Sequence, residues 1–202
     1  MIQKTSLYDK HLDLDAKIVP FSGFEMPVNY SNGILHEYNS VRNKCGLFDV
    51  SHMGQFFIYG DGAYEFLQKI TINDVSKLKV YDAQYSAMCN IEGGIIDDLI
   101  LYKKTDGYYM VVNAGNIDKN FEWLSKNITS NVYIENESAD TSLIAIQGPD
   151  SRTVLSKITD ADLHIKFYSY TETASRLWHC IGYTFKVTCM GGHGNSGGSH
   201  GN

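Results

Sequence analysis

YSAMCNIEGGIIDDLILY, residues 85–102, is written as two strands with a reversal between them. Residues 85–89 and 95–102 are strand-like, and the intervening NIEGG is a loop of hairpin length with the glycines that positive φ angles call for. Ahead of it, 55–59 (QFFIY) reads as a strand, and Gly60-Asp61-Gly62 as a turn into a helix over Ala63–Ile70. Behind it come a strand over Tyr108–Val112, a helix over 116–126, strands over 132–136 and 143–147, and a helix over 150–158 opened by Gly148-Pro149. The run 178–188 supplies a last pair of strand-like pieces. Ile34–Asn43 spaces Ile34, Leu35, Tyr38 and Val41 on one helical face, with Gly46 as the stop. Hairpins outnumber strand-helix-strand crossovers, so the expected fold class is α+β, mainly antiparallel sheets with flanking helices.

With 202 residues and 43% hydrophobic content the chain can bury a core without disulfides or metal. A net charge of −6 argues against a nucleic-acid binder, because phosphate binding needs clustered Lys and Arg. No apolar run approaches the ~20 residues needed to span a bilayer. The opening MIQKTSLYDKHLDLDAK lacks a signal core and is too acidic for a transit peptide, so the expected setting is the cytoplasm. Cys45, Cys89, Cys180 and Cys189 stand singly, without metal spacing, and read as reduced thiols. No metal is expected. Residues 1–190 read as the folded region, and the Gly-rich 191–202 has no apolar side chain and reads as disordered.

Four stretches could carry chemistry. In the strand after the Gly-Gly turn, Asp97 and Asp98 are adjacent, so they point to opposite faces of a sheet. One can face solvent while the other points into whatever the sheet covers. A carboxylate held there is either paired structurally or used, and burial would raise its pKa toward acid-base work. GLFDVSHMG, 46–54, brings Ser51 and His52 together, but adjacent side chains rarely aim at one another, so a hydrogen-bonded structural His is the simpler reading. FSGFEMPVNY, 21–30, is an aromatic loop that either packs over the core or lines a pocket for a planar ligand, with Glu25 fixing orientation. YYMVVNAG, 108–115, ends in Asn113, a turn former or a reader of a heterocycle edge. No phosphate-cradling glycine loop is present.

Taken together, KTSLYDKHLDLDAKIVPFSGFEMPVNY, VRNKCGLFDVSHMGQ, QYSAMCNIEGGIIDDLILY, YYMVVNAGN and LIAIQGPDS resemble, in this order, the motifs of the glycine cleavage system aminomethyltransferase (T-protein) family. The resemblance covers roughly residues 4–188. It implies a folate-binding N-terminal domain, tetrahydrofolate as co-substrate and lipoylated H-protein as partner. The H-protein-bound aminomethyl group would give its methylene to tetrahydrofolate and release ammonia. By the same matching Asp98 is the catalytic carboxylate, placed to position the folate amine, manage its proton and stabilise developing positive charge. Tyr85, Val111 and Asn113 fall on pterin-contacting positions and Met53 near them, while Asp97 stays structural.

The match breaks after Phe185-Lys186-Val187-Thr188. Relatives continue with a Gly-Tyr-Thr-Gly-Glu-Asp-Gly-Phe-Glu motif, whereas this sequence has GGHGNSGGS with Ser199 in place of the final Glu. A chain truncated in this way would leave its pocket partly open. Two other readings share the scaffold: a folate-dependent demethylase, and a non-catalytic folate-binding module completed by a separate chain.

Overall fold

The computed structural model describes residues 2–173 and 185–188. In chain order these form β1 (Gln3–Lys4), α1 (Tyr8–Asp13), β2 (Lys17–Phe21), β3 (Phe24–Asn29), α2 (Ile34–Asn43), β4 (Gly46–Asp49), β5 (Gly54–Tyr59), α3 (Ala63–Ile70), β6 (Ala83–Cys89) and β7 (Ile95–Lys103). They continue with β8 (Tyr108–Val112), α4 (Ile117–Asn127), β9 (Tyr133–Asn136), β10 (Ile144–Gln147), α5 (Ser151–Leu155), β11 (Tyr170–Thr173) and β12 (Phe185–Thr188).

The β6–β7 hairpin founds a five-stranded sheet of order β6-β7-β8-β5-β9, antiparallel throughout. Its loop closes as the glycines require: Gly93 takes φ +82°, and Asn90 accepts the Gly94 N–H on its side chain. Around it lie a three-stranded sheet β1-β3-β2 and the pairs β4–β10 and β11–β12. Of all these pairings only β1–β3 is parallel, so the structure is α+β and mainly antiparallel.

Strand alternation gives the central sheet two different faces. One carries Phe56, Ile58, Met88, Leu99, Leu101, Met110 and Val112 against Phe66 and Leu67 of α3 and Leu124 of α4, all buried. The other carries Ala83, Tyr102, Tyr109 and Val111, roofed by Tyr170 and flanked by Met53, Phe57, Ile100, Leu143 and Tyr168. Among the described residues the helices seal one face, and the second is covered only in part, leaving Tyr85 and Asp98 exposed.

Three expectations need correction. The stripe on α2 faces water: Ile34, Leu35 and Tyr38 are exposed, and no residue of this helix is buried. Gly46 is not the helix stop, since Lys44 ends α2 at φ −139°; Gly46 instead lies so close to the Val41 side chain that a Cβ would collide with it. The helix expected over 150–158 shortens to five residues. There the β-branched Thr153 and Val154 are poor helix formers, and Ser156 turns its hydroxyl onto the Thr153 carbonyl (2.9 Å). The tail 191–202 lies outside the described residues, as does the first part of the strand pair expected over 178–188.

Candidate functional site

A bulge precedes the two aspartates. Met88 pairs with Asp97 and Cys89 with Ile95, leaving Ile96 as the extra residue of β7, and its carbonyl accepts from Lys119 Nζ at 2.9 Å. Beyond the bulge the period of two sends Asp97 beneath the sheet and Asp98 onto the half-open face. Asp97 is 6% exposed and meets α4 and the turn leading into it. Its Oδ1 accepts from Asn113 Nδ2 (2.8 Å) and Asn116 Nδ2 (3.0 Å). Its Oδ2 accepts from Asn120 Nδ2 (2.6 Å) and the Asn113 backbone N–H (3.3 Å). Four neutral donors therefore satisfy this buried carboxylate. Sequence reasoning left these partners out, although Asn113, Asn116 and Asn120 stand at i, i+3 and i+7, the spacing of one helical face.

Asp98 is solvent-exposed but its carboxylate is held. Tyr85, diagonally across on β6, donates its hydroxyl to Oδ2 at 2.8 Å. Asn113, one step past the Leu99–Val112 pair, donates Nδ2 to Oδ1 at 2.7 Å. The Tyr85 hydroxyl above all, with help from Asn113, holds the Asp98 carboxyl below the ordinary aspartate range against slight desolvation. This corrects the sequence-based expectation of a pKa raised by burial, because the side chain sits outside the apolar layer that Leu99 enters. The Tyr85 phenol is pushed up in return, chiefly by the same bond.

Asp98, Tyr85, Asn113 and Val111 thus meet on one sheet face. Tyr85 pairs in register with Ile100, and Ile100 with Val111, so an aromatic, a branched aliphatic and a second aliphatic form a row beside the carboxylate. Tyr85 is 52% exposed and Val111 only 7%. Met53 borders the same face, packed against the cluster that contains Val111. Beyond Met53 opens a cavity of about 590 Å³, walled by Phe24, Ser51, His52, Gly115, Asp118 and Ser138 among others. Among the described residues no three His, Cys, Asp or Glu side chains gather where they could hold a metal ion.

The remaining candidates resolve as follows. Ser51 is bound to Leu143, donating its hydroxyl to the carbonyl (3.3 Å) and accepting from the N–H (3.0 Å), with no bond to His52. His52 is 9% exposed and meets Phe21 and Phe24 edge-on, with ring centroids 5.6 and 6.2 Å away. Among the described residues its buried Nδ1 has no hydrogen-bond partner, so the expected hydrogen-bonded histidine is not what they contain. Burial lowers the His52 pKa, partly opposed by Asp49. The stretch 21–30 is the β2–β3 hairpin rather than a loop, and Glu25 pairs with Lys4 at 3.8 Å.

A second buried network went unnoticed in the sequence. Asp49 Oδ2 accepts from Thr5 (2.7 Å) and pairs with His11 Nε2 (3.0 Å), and His11 Nδ1 meets the Tyr30 hydroxyl (2.9 Å). Asp49 Oδ1 accepts the Ser51 N–H at 2.9 Å. Burial alone would raise the Asp49 pKa, yet hydrogen bonds from Ser51, His11 and Thr5 hold it low. The network ties α1 to β4 and to the residue that follows β3.

Comparison with known proteins assigns the chain to a family. The family described as GCVT N-terminal domain matches residues 7–188. A protein of Halothermothrix orenii named aminomethyltransferase is 46% identical over 172 residues, covering 84% of this chain and 48% of the relative. One of Geobacillus thermodenitrificans with the same name is 47% identical over 201 residues, covering 94% and 55%. The chain thus spans about half the length of the curated relatives it matches. The crystal structure of glycine cleavage system aminomethyltransferase T from Bartonella henselae superposes with a TM-score of 0.76 at 31% identity, over 84% of this chain and 47% of that one.

Proposed function

The chain belongs to the GCVT N-terminal domain family, and from that membership we propose that it is the folate-binding half of a glycine cleavage aminomethyltransferase. In this reading an aminomethyl group arriving on lipoylated H-protein passes its methylene to tetrahydrofolate, and ammonia leaves. One observation carries the proposal. An oriented carboxylate, Asp98, lies on a partly apolar sheet face, held between a tyrosine hydroxyl and an amide.

The residues present suit a reduced pterin. Tyr85 offers an apolar ring face for a planar bicycle, with the nearly buried Val111 as the floor beside it, Met53 can adjust to its edge, and Asn113 supplies a polar reader. Tetrahydrofolate, when bound, supplies the amine that takes up the one-carbon unit. The role proposed for Asp98 follows from the two hydrogen bonds that orient its carboxylate and favour its charged form. At neutral pH it is an anion rather than a resident acid, so it orients an N–H donor and stabilises positive charge that develops nearby. Because the Tyr85 hydroxyl is committed to Asp98, its ring can serve as surface while its oxygen locks the carboxylate. We assign the catalytic role to Asp98 and the binding roles to Tyr85, Val111, Asn113 and Met53.

Resonance mapping on the isotope-labelled chain tests the folate site. Titrating with tetrahydrofolate under argon should shift the backbone signals of Tyr85, Asp98, Val111 and Asn113 together. Shifts confined to other parts of the molecule, or none at millimolar ligand, would refute the placement.

A further inference from the structure

We propose that Asp97 is a positioning residue, which from beneath the sheet fixes the Asn113 side chain so that its amide clamps the Asp98 carboxylate. This deepens the folate reading and rests on it only for the purpose the clamped carboxylate serves.

The geometry is a bridge through one nitrogen. Asn113 Nδ2 stands 2.8 Å from Asp97 Oδ1 and 2.7 Å from Asp98 Oδ1, so each of its two protons has its own carboxylate. The Asn113 backbone N–H also reaches Asp97 Oδ2, at 3.3 Å, which fixes the main chain from which the side chain projects. An amide turned the other way would set its oxygen against two carboxylates, so the charges themselves dictate the flip. Asp97 is held in its turn by Asn116 and Asn120. Those two side chains come from the segment sealing the helix face, so the packing of α4 bears on the open face through a single carboxylate. The adjacency of the two aspartates acquires a reason: one strand position anchors and the next acts. A consequence for recognition follows. With both Nδ2 protons spent on aspartates, Asn113 presents only its Oδ1 acceptor to a ligand, which therefore reads N–H groups on the pterin edge.

Replacing Asp97 by Asn keeps shape but removes acceptor capacity. An amide oxygen has two lone pairs, too few for the four donors now converging there, so Asn113 loses its anchor. The test is carbon and nitrogen NMR of the whole 202-residue chain without folate, comparing wild type, Asp97→Asn, Asn113→Ala and the double variant. In wild type both Asn113 Nδ2 protons should resonate downfield of ordinary side-chain amides, and in Asp97→Asn that pair should collapse to the ordinary position. The Asp98 carboxyl inflection should move up both in Asp97→Asn and in Asn113→Ala, and the double variant should move no further than Asn113→Ala alone.

If Asp97 acted merely as a neighbouring negative charge, its removal would lower the Asp98 inflection in both backgrounds, and that result overturns the proposal. Ordinary Asn113 Nδ2 shifts in wild type overturn it too, and this arm needs no variant to fold. Since no folate is present, these outcomes are independent of whether tetrahydrofolate binds.

Discussion

Tyr85 and Asn113 orient Asp98, because at an exposed position only directed hydrogen bonds can hold a carboxylate in one rotamer. Tyr85→Phe keeps the ring and deletes the larger influence on Asp98, so the Asp98 pKa should rise toward the ordinary aspartate value, as followed by carbon NMR. An unchanged inflection would show that the bond is not maintained in solution. His52 makes a different kind of prediction. Burial holds its folded pKa below the ordinary 6.5, so the unfolded chain binds the extra proton more readily. Its contribution to stability is therefore complete above about pH 6.5 and is lost as pH falls through the folded pKa. His52→Leu should flatten the fall in melting temperature between about pH 7 and about pH 5. An equally steep fall in the variant would place the acid sensitivity elsewhere.

At the scale of the element, the β6–β7 hairpin was legible because its two glycines and its alternation act locally. The structure returns the strand boundaries within two residues. Substituting Gly93, at φ +82°, with Ala should cost about 1 kcal/mol in urea unfolding, since no neighbour crowds the position and only backbone strain is added. The side each aspartate takes was less legible. Alternation says that Asp97 and Asp98 diverge, but which of them enters the core depends on the bulge at Ile96, a feature set by the register with Met88 and Cys89. For the same reason Asp97's asparagine partners were missed: two of them arrive from α4 and the turn before it, far along the chain. The Asp49, His11 and Tyr30 network escaped because its members lie 19 and 38 residues from His11, and no local pattern links them.

Across the whole molecule, the described residues leave apolar surface in water. Leu35 is 79% exposed, Ile34 62% and Tyr38 57%, a cluster of the kind that drives association. Sequence periodicity located this stripe but carries no information about what it packs against. Leu35→Glu should leave unfolding free energy within about 0.5 kcal/mol of wild type while lowering self-association in light scattering. Unchanged association would exonerate this face. The half-open sheet face belongs to the same picture. The chain matches about half the length of its relatives, and the residues proposed to meet the pterin lie on the side of the sheet that the described helices leave uncovered.

Asp98 is proposed to perform the chemistry, and that role is open to experiment. It is tested most directly by ammonia release from aminomethyl-loaded, lipoylated H-protein, using the Geobacillus thermodenitrificans aminomethyltransferase with its matching segment replaced by this chain's. Asp98→Asn should abolish tetrahydrofolate-dependent release while the melting temperature stays where it was. Release at the parental rate in that variant would contradict the assignment.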